Sequence, residues 1–273
     1  MLRRIILLAI ATFTMIGCAA RTTTNIDRLV AQSVATQPTT ASESLEVLSR
    51  TRKSIDIALR TTDENIACAE VNAYKARVII YRADDVPLIH FDLEQGSLEM
   101  TGNRIDVAIQ GQGFLVIKQP TPGGEGIAYT RNGALFRNAR GDLVASFGDG
   151  YRIVPAINIP PTIPDDSISI CSDGMVEYIA PGSNVKTRVG QLQLATFANA
   201  QGLVPLGGSS FASSKESGPA IMLNPGDGGA GTLQAGYLEA SNVRVSAEEL
   251  RRVAAEHWRD VIDRAIARAA APH

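Results

Sequence analysis

The chain is poor in the residues that most chemistry needs. Its 273 residues include three cysteines and three histidines. His90, His257 and His273 stand far apart, without the cysteine, histidine or carboxylate spacing of a metal site. Each reads as a surface or partly packed residue. Aromatics make up only 5 % of the chain, which leaves little from which to build base-stacking platforms. A formal net charge of −2 provides no field to draw nucleic acid or an anionic membrane surface. "GGSS" at Gly207–Ser210 lacks the Gly-x-Ser-x-Gly frame of a nucleophile elbow. The pairs Asp84-Asp85 and Asp165-Asp166 lie beside proline and polar residues, as solvated turns do. No repeat of fixed period is present. The reading therefore assigns no catalytic, cofactor-binding or metal-ligating residue, and no nucleic acid or small-molecule substrate as a partner.

Glycine is not scarce: 24 residues, many in turn-like clusters. The length allows one large domain or two modest ones with a real core. In "DVAIQGQGFLVI", Asp106–Ile117, an apolar run meets Gly111 and Gly113. A dinucleotide-binding loop would need a third glycine, where Val116 stands, and a helix to supply amides to the phosphate. Phe-Leu-Val-Ile follows instead, and it is strand-like. The pair is expected to bend the chain between two strands, through φ > 0 or close backbone approach. Further turns are marked by Pro122–Gly124, Asn132-Gly133, Arg140-Gly141-Asp142, Gly148-Asp149-Gly150, Ser172-Asp173-Gly174 and Pro181-Gly182. Between them run "IAYT", "YRIV", "SISI", "MVEYI" and "GQLQLATF", the last with Leu192, Leu194 and Thr196 in alternation. The middle of the chain is expected to be all-β, a barrel or sandwich of short strands.

The ends differ from the middle. Arg3 and Arg4 precede the short apolar run "IILLAIATFTMI", too short to span a bilayer comfortably, which ends at Gly17-Cys18. This resembles the signal and lipobox of bacterial lipoproteins and implies diacylation of Cys18 after removal of residues 1–17. Ala19 after the cysteine points to the outer membrane. An ordinary cleaved signal with an incidental cysteine is the plainer alternative. Residues 18–44 are rich in Thr, Ala and Ser and read as a flexible tether. A helix follows, with Ser42 or Ser44 as cap and Leu45, Leu48, Ile55, Leu59 and Ile66 as a narrow seam interrupted by Arg52 and Thr62. A second helix opens with Ser246 and Glu249 as a capping-box pair. Leu250, Val253, Ala254, Trp258, Val261, Ile262, Ala265, Ile266 and Ala269 form its apolar stripe, with arginines and carboxylates opposite. The stripes leave open whether the helices pair with each other or with other copies.

"EQGSLEMTGNRIDVAIQGQGFLVI" and "YTRNGALFRNARGDLV", then "SDGMVEYIAPGSNVKTRVGQLQLATFANAQGLVPLGGSSF" and "GTLQAGYLEASNVRV", together resemble the flagellar basal-body rod and hook protein family, nearest to its distal-rod members. The resemblance covers roughly residues 94–245. It implies a β domain inserted between terminal helices that pack into the rod, an axial building block without enzymatic activity. It further implies the division 45–80 for the N-terminal helix and signature segment, 81–238 for the β domain and 239–273 for the C-terminal helix. Leu45, Leu48, Ile55, Leu59, Asn65, Ile66, Leu250, Val253, Trp258, Val261 and Ile262 become the expected assembly interface, with self and other rod or hook subunits as partners. It also places Cys68 near the N-terminal helix and Cys171 in the β domain, which argues against a disulfide between them.

Two departures stand beside the resemblance. In "NIACAEVNAYKAR", Asn65, Ile66, Ala67, Asn72, Tyr74 and Lys75 fit the family's signature, while Cys68, Val71 and Ala73 replace an asparagine, a threonine and a glycine. Family members are exported by the flagellum's own apparatus, whereas this chain carries a lipoprotein-type signal. The expected function is a structural component of the flagellar basal body, in the periplasm and anchored at a membrane through Cys18. The alternative is a lipid-anchored envelope protein that uses a rod-type β domain as a binding module.

Overall fold

The computed structural model describes residues 41–81, 87–121, 126–145 and 150–271. Residues 1–17, the tether as far as residue 40, Cys18, Asp84-Asp85, Pro122–Gly124, Gly148-Asp149 and His273 lie outside them. The chain divides into two compact units. One comprises residues 41–67, 77–90 and 243–271; the other comprises residues 68–76 and 91–242. Residues 68–76, grouped by the sequence reading with the N-terminal helix, thus pack with the β unit.

The first unit holds α1 (Ala41–Ala67), α2 (Val245–Ala269) and a ribbon of β1 (Arg77–Ile80) with β2 (Leu88–Phe91). Neither helix contains glycine or proline, so nothing interrupts its 3.6-residue period. α1 spans Ala41–Ala67, so Ser42 and Ser44, the expected cap positions, lie within it. α2 begins one residue ahead of Ser246, with Arg244 as its N-cap and no side-chain cap bond. The capping box expected of Ser246 and Glu249 does not form, because Ser246 already sits in the helix. The Arg244 carbonyl instead accepts from the amides of Ala247 (2.9 Å) and Glu248 (3.0 Å). The acidic residue of the first turn is Glu248, buried and ion-paired to Arg251. Its charge suits a helix N-terminus.

The second unit is built of short antiparallel strands. Its largest sheet contains six: β5 (Phe114–Lys118), β6 (Ile127–Thr130), β13 (Leu194–Thr196), β14 (Val204–Gly207), β15 (Ser210–Ala212) and β16 (Ile221–Leu223). Their order is β14-β15-β6-β5-β13-β16. Around it lie β3 (Leu98–Met100) with β18 (Tyr237–Glu239), and β4 (Val107–Gln110) with β17 (Thr232–Ala235). Two three-stranded sheets complete the unit. One joins β7 (Leu135–Arg137), β8 (Leu143–Ala145) and β9 (Tyr151–Arg152); the other joins β10 (Ile168–Ile170), β11 (Met175–Ile179) and β12 (Lys186–Gln191). The fold is mainly β with terminal helices. The described sheets are open, each ending in two edge strands, so the arrangement is sandwich-like and not a closed barrel.

The continuous apolar run of β5 has a structural cause. Leu115 and Ile117 join an aliphatic core with Val107, Ile109, Leu135, Ile153 and Leu194. Phe114 and Val116, one residue out of phase, face a second core with Tyr129, Ala195, Leu203 and Phe211. A strand covered on both faces shows no polar alternation. The few aromatics pool on this second face: Phe91 meets Phe211 edge-on at 5.3 Å, and Tyr129 meets Phe197 at 4.8 Å.

"IAYT" and "MVEYI" coincide with β6 and β11, whereas "YRIV" contributes only Tyr151 and Arg152 to a strand. "GQLQLATF" is cut in two. The Leu192 amide donates to the Gly174 carbonyl (2.8 Å) outside the ladder, and the chain leaves the sheet of β12 for the six-stranded sheet. Leu192 and Leu194 are nonetheless both fully buried, as their alternation implied.

Candidate functional site

α1 and α2 supply the first candidate surface, and within their unit they pair with each other. Ile55 and Leu59 of α1 pack with Ala255, Trp258 and Ile262 of α2, flanked by Leu48, Val261 and Ile266. The spacing explains the contact, since residues three, four and seven apart share one helix face. The buried side of α1 is broader than its apolar seam, because Thr51, Ser54, Thr61 and Thr62 are buried as well. Their hydroxyls need partners, and Thr51, Ser54 and Thr61 find them in the carbonyls of Val47, Arg50 and Ile57 one turn back. Arg52, read as an interruption, is a bridge: it binds Asp56 on its own helix and Asp263 on α2 (2.6 Å). Its hydrogen bond to Asp263 holds the guanidinium pKa above its ordinary value.

The rest of the expected interface is distributed differently. Leu45 and Ile66 are half-buried and stand outside the core of the pair. Leu250 and Val253 are 62 % and 60 % exposed, although they were placed on the same stripe as Trp258. The face that packs is centred on Ala255, Trp258 and Ile262, which turns those two residues toward solvent. Asn65 is buried, and its side-chain amide works as a backbone substitute. Nδ2 donates to the Arg77 carbonyl (2.9 Å), and Oδ1 accepts from the Arg77 amide (2.8 Å). The end of α1 is thereby tied to the start of β1.

Residues 68–76 of the signature segment belong to the β unit and end at a buried ionic cluster. Ala73, in the place where the family resemblance has glycine, is fully buried with φ +57°. That left-handed conformation is one that glycine adopts freely and alanine rarely does. Its amide donates to the Glu239 carbonyl (2.7 Å). Two residues on, the Lys75 ammonium donates to Glu239 Oε1 (2.6 Å) and to the Glu94 carbonyl (2.6 Å). Glu239 Oε1 also accepts from the Gly96 amide (3.0 Å), and Oε2 accepts from Arg131 Nε (2.7 Å). Lys75, Arg131 and Glu239 are 1 %, 6 % and 1 % exposed, so two cations share one carboxylate out of water. Burial pushes the Lys75 pKa down from its ordinary value; Glu239 opposes that shift, while Arg131 adds to it.

This cluster also explains the glycine loop. Gly111 and Gly113 have φ of +106° and +121°, and the chain passes through them from the sheet of β4 to that of β5. The bend expected from the sequence is there. Its carbonyls, not its amides, converge: Arg131 donates to those of Gly111 (2.9 Å), Gly113 (2.9 Å) and Ile109 (3.0 Å). The loop therefore has the polarity of a cation site already filled by a side chain, opposite to a phosphate cradle. An open cleft of about 460 Å³ lies beside it, lined in part by Gln95, Gln112 and Phe197. Arg131 also lines this cleft, but each of its three side-chain nitrogens already donates within the protein.

Elsewhere, "GGSS" forms the hairpin turn between β14 and β15, with Gly207 paired to Ser210. Asp165 pairs with Arg137 (2.7 Å). Cys68 and Cys171 are free thiols. Among the described residues no group of His, Cys, Asp or Glu could hold a metal ion, and no helix is long and apolar enough to cross a membrane. Sequence reading missed Arg131 and Glu239 as a pair. The available signal was a charged residue at the end of each of two strand-like runs, "YTR" and "YLE".

Part of the β unit, including its glycine bend, is similar to a known domain. Residues 108–178 match the flagellar hook protein FlgE/F/G D1 domain. The match runs from β4 through most of β11 and includes Gly111, Gly113 and Arg131. The chain is also similar to flagellar basal-body rod proteins FlgG over longer stretches. It is 41 % identical to that of Buchnera aphidicola subsp. Schizaphis graminum over 156 residues, 57 % of each chain. It is 40 % identical to that of Caulobacter vibrioides over 155 residues, 57 % of this chain and 56 % of the relative. With that of Bacillus subtilis, identity is 38 % over 161 residues, 58 % of each. The similarity thus spans little more than half the length of these relatives.

Proposed function

We propose that this chain is a structural component of the bacterial flagellar basal body, a distal-rod-like axial protein that supports flagellum-dependent motility. The observation that carries this reading is the similarity of about 40 % to FlgG rod proteins over more than half the chain. The architecture agrees with it, since a β unit is inserted between the two helices. The role is one of assembly and not of catalysis: the buried charges of Lys75, Arg131 and Glu239 are engaged with one another and with the backbone. Its partners are further copies of itself and other rod or hook subunits. The surfaces offered to them include Leu250 and Val253, which the helix pair leaves in water.

Anchoring is the finer part of the proposal. Arg3, Arg4 and the short apolar run ending at Gly17-Cys18 support a diacylated Cys18 that holds the protein at a membrane on the periplasmic side, with the outer membrane favoured by Ala19. The same signal supports a second reading, a lipid-anchored envelope protein that uses the rod-type β unit as a binding module.

A deletion strain distinguishes the two. Complementation with wild type is expected to restore swimming and intact basal bodies. Complementation with Trp258→Asp, which puts a carboxylate into the α1–α2 core, is expected to restore neither while leaving the β unit folded. A deletion strain that swims normally with intact rods defeats the structural-component reading and leaves the binding-module reading.

A further inference from the structure

Residues 72–76 are held down mainly by residues that come far later in the chain. The Ala73 amide and the Lys75 ammonium both donate to Glu239, at 2.7 and 2.6 Å. The Ala76 amide donates to Asn242 Oδ1 (2.7 Å), and the Asn242 amide reaches the Tyr74 carbonyl (3.4 Å). Asn242 Nδ2 extends the grip to the carbonyls of Asp92 (2.8 Å) and Glu94 (3.0 Å). Ser209, through the Asn72 carbonyl (2.5 Å), Asp92, whose amide donates to the Ala76 carbonyl (2.7 Å), and the Glu94 carbonyl, through Lys75, attach the segment independently of residues 239–242.

The charges make this attachment conditional. Arg131 is fixed by three carbonyls of the β unit whether or not Glu239 is ionised. Lys75 has one carbonyl besides Glu239, and it enters the cluster as a second buried cation beside Arg131. A buried cation that loses its partner is strongly unfavourable, and a lysine on a flexible stem relieves this by leaving. Ala73 adds to the tendency, because its left-handed backbone persists only while its surroundings impose it.

We propose that residues 68–76 form a strap latched onto the β unit by Asn242 and the Glu239 carbonyl, and that the Glu239 carboxylate permits this closure by offsetting the buried charge of Lys75. The strap leads directly out of α1, and the latch leads directly into α2. In a chain made from its N-terminus, the strap therefore stays open until almost the whole β unit has been completed. The device ties the N-terminal lead-in to the arrival of the C-terminal one.

Residue-resolved hydrogen exchange on the full chain tests it. Glu239→Gln is expected to accelerate exchange at the amides of Ala73 and Ala76 on the order of 100-fold or more, while the amides of β5 keep their protection. Adding Lys75→Met to Glu239→Gln removes the uncompensated cation and is expected to return strap protection to within about tenfold of wild type. Equal acceleration at the strap and β5, or none at the strap, overturns the proposal. If Glu239→Gln does not fold, Lys75→Met alone decides, because Arg131 and Glu239 then balance one to one. Strap protection at or above the wild-type level supports the latch. Its loss shows that the Lys75 contacts themselves, not charge balance, hold the strap, and overturns it.

Discussion

Truncation of Ile55 to alanine separates the helix-pair core from the cores of the β unit. Ile55 is 1 % exposed and belongs to a helix-pair core whose other buried members are Leu59, Ala255, Trp258 and Ile262. Ile→Ala removes roughly three carbons at about 0.8 kcal/mol each, or about 2.4 kcal/mol of transfer free energy. The cavity left between two helices with few other apolar contacts raises this to about 3 kcal/mol, inside the measured range for such changes. Over a urea slope of about 1.5 kcal/mol/M, the midpoint falls by about 2 M.

The assay is supplied by the composition. Trp258 is the sole tryptophan and sits in this core, so its emission reports the helix pair. Tyr74, Tyr129, Tyr151, Tyr178 and Tyr237 belong to the β unit, so the near-ultraviolet tyrosine signal mainly reports that unit. The tryptophan transition is expected to move and the tyrosine transition to stay. Leu250→Ala is the control: at 62 % exposed it is expected to change stability by less than about 0.5 kcal/mol. If both transitions move together, or if Leu250→Ala costs as much as Ile55→Ala, the assignment of the packed face is refuted.

Three other outcomes are open to measurement. Gly113→Val forces a branched side chain to φ +121° with its Cβ 3.2 Å from that of Leu194, and is expected to destabilise the β unit by about 1–3 kcal/mol. A saturable rise in melting temperature with millimolar ATP or NAD, lost in Gly113→Ala, would contradict the carbonyl-lined reading of that loop. Glu177 is held below its ordinary value of 4.5, first by its hydrogen bond to Lys186 and then by Arg188. A depressed carboxyl stabilises the fold above its unfolded pKa and loses that contribution as pH falls through the folded one. The melting-temperature gap between wild type and Glu177→Gln is therefore expected to shrink as pH drops below about 4.5, and a gap independent of pH counts against the pairing. Metabolic labelling with a palmitate analogue is expected to mark the wild type and not Cys18→Ser; label that persists in the variant removes the lipid-anchor assignment.

Much of the architecture could be read from local patterns, because periodicity and turn chemistry act over a few residues. The two amphipathic helices, the strands at "IAYT" and "MVEYI", and the bend at Gly111 and Gly113 were all legible for that reason. What the patterns did not carry was orientation and partnership. A stripe of period 3.6 is wide enough to include Leu250 and Val253 beside Trp258. Only the packing of α1 against α2 selects Ala255, Trp258 and Ile262 as the buried line. Arg52 looked like a break in a seam because its partner Asp263 lies on the other helix.

The buried cluster is the clearest case. Lys75, Arg131 and Glu239 are separated by 56 and 108 residues along the chain, and each alone reads as an ordinary surface charge. Their meeting depends on the ends of β6 and β18 converging with the segment 68–76, which no local propensity encodes. The amino-acid sequence by itself determined the kinds of elements, their order and the β unit between helices, since each follows from the chemistry of near neighbours. The tertiary structure alone decided which faces are covered, which charges lose water, and why Ala73 stands where a left-handed backbone is required, since burial is settled by residues brought together from distant parts of the chain.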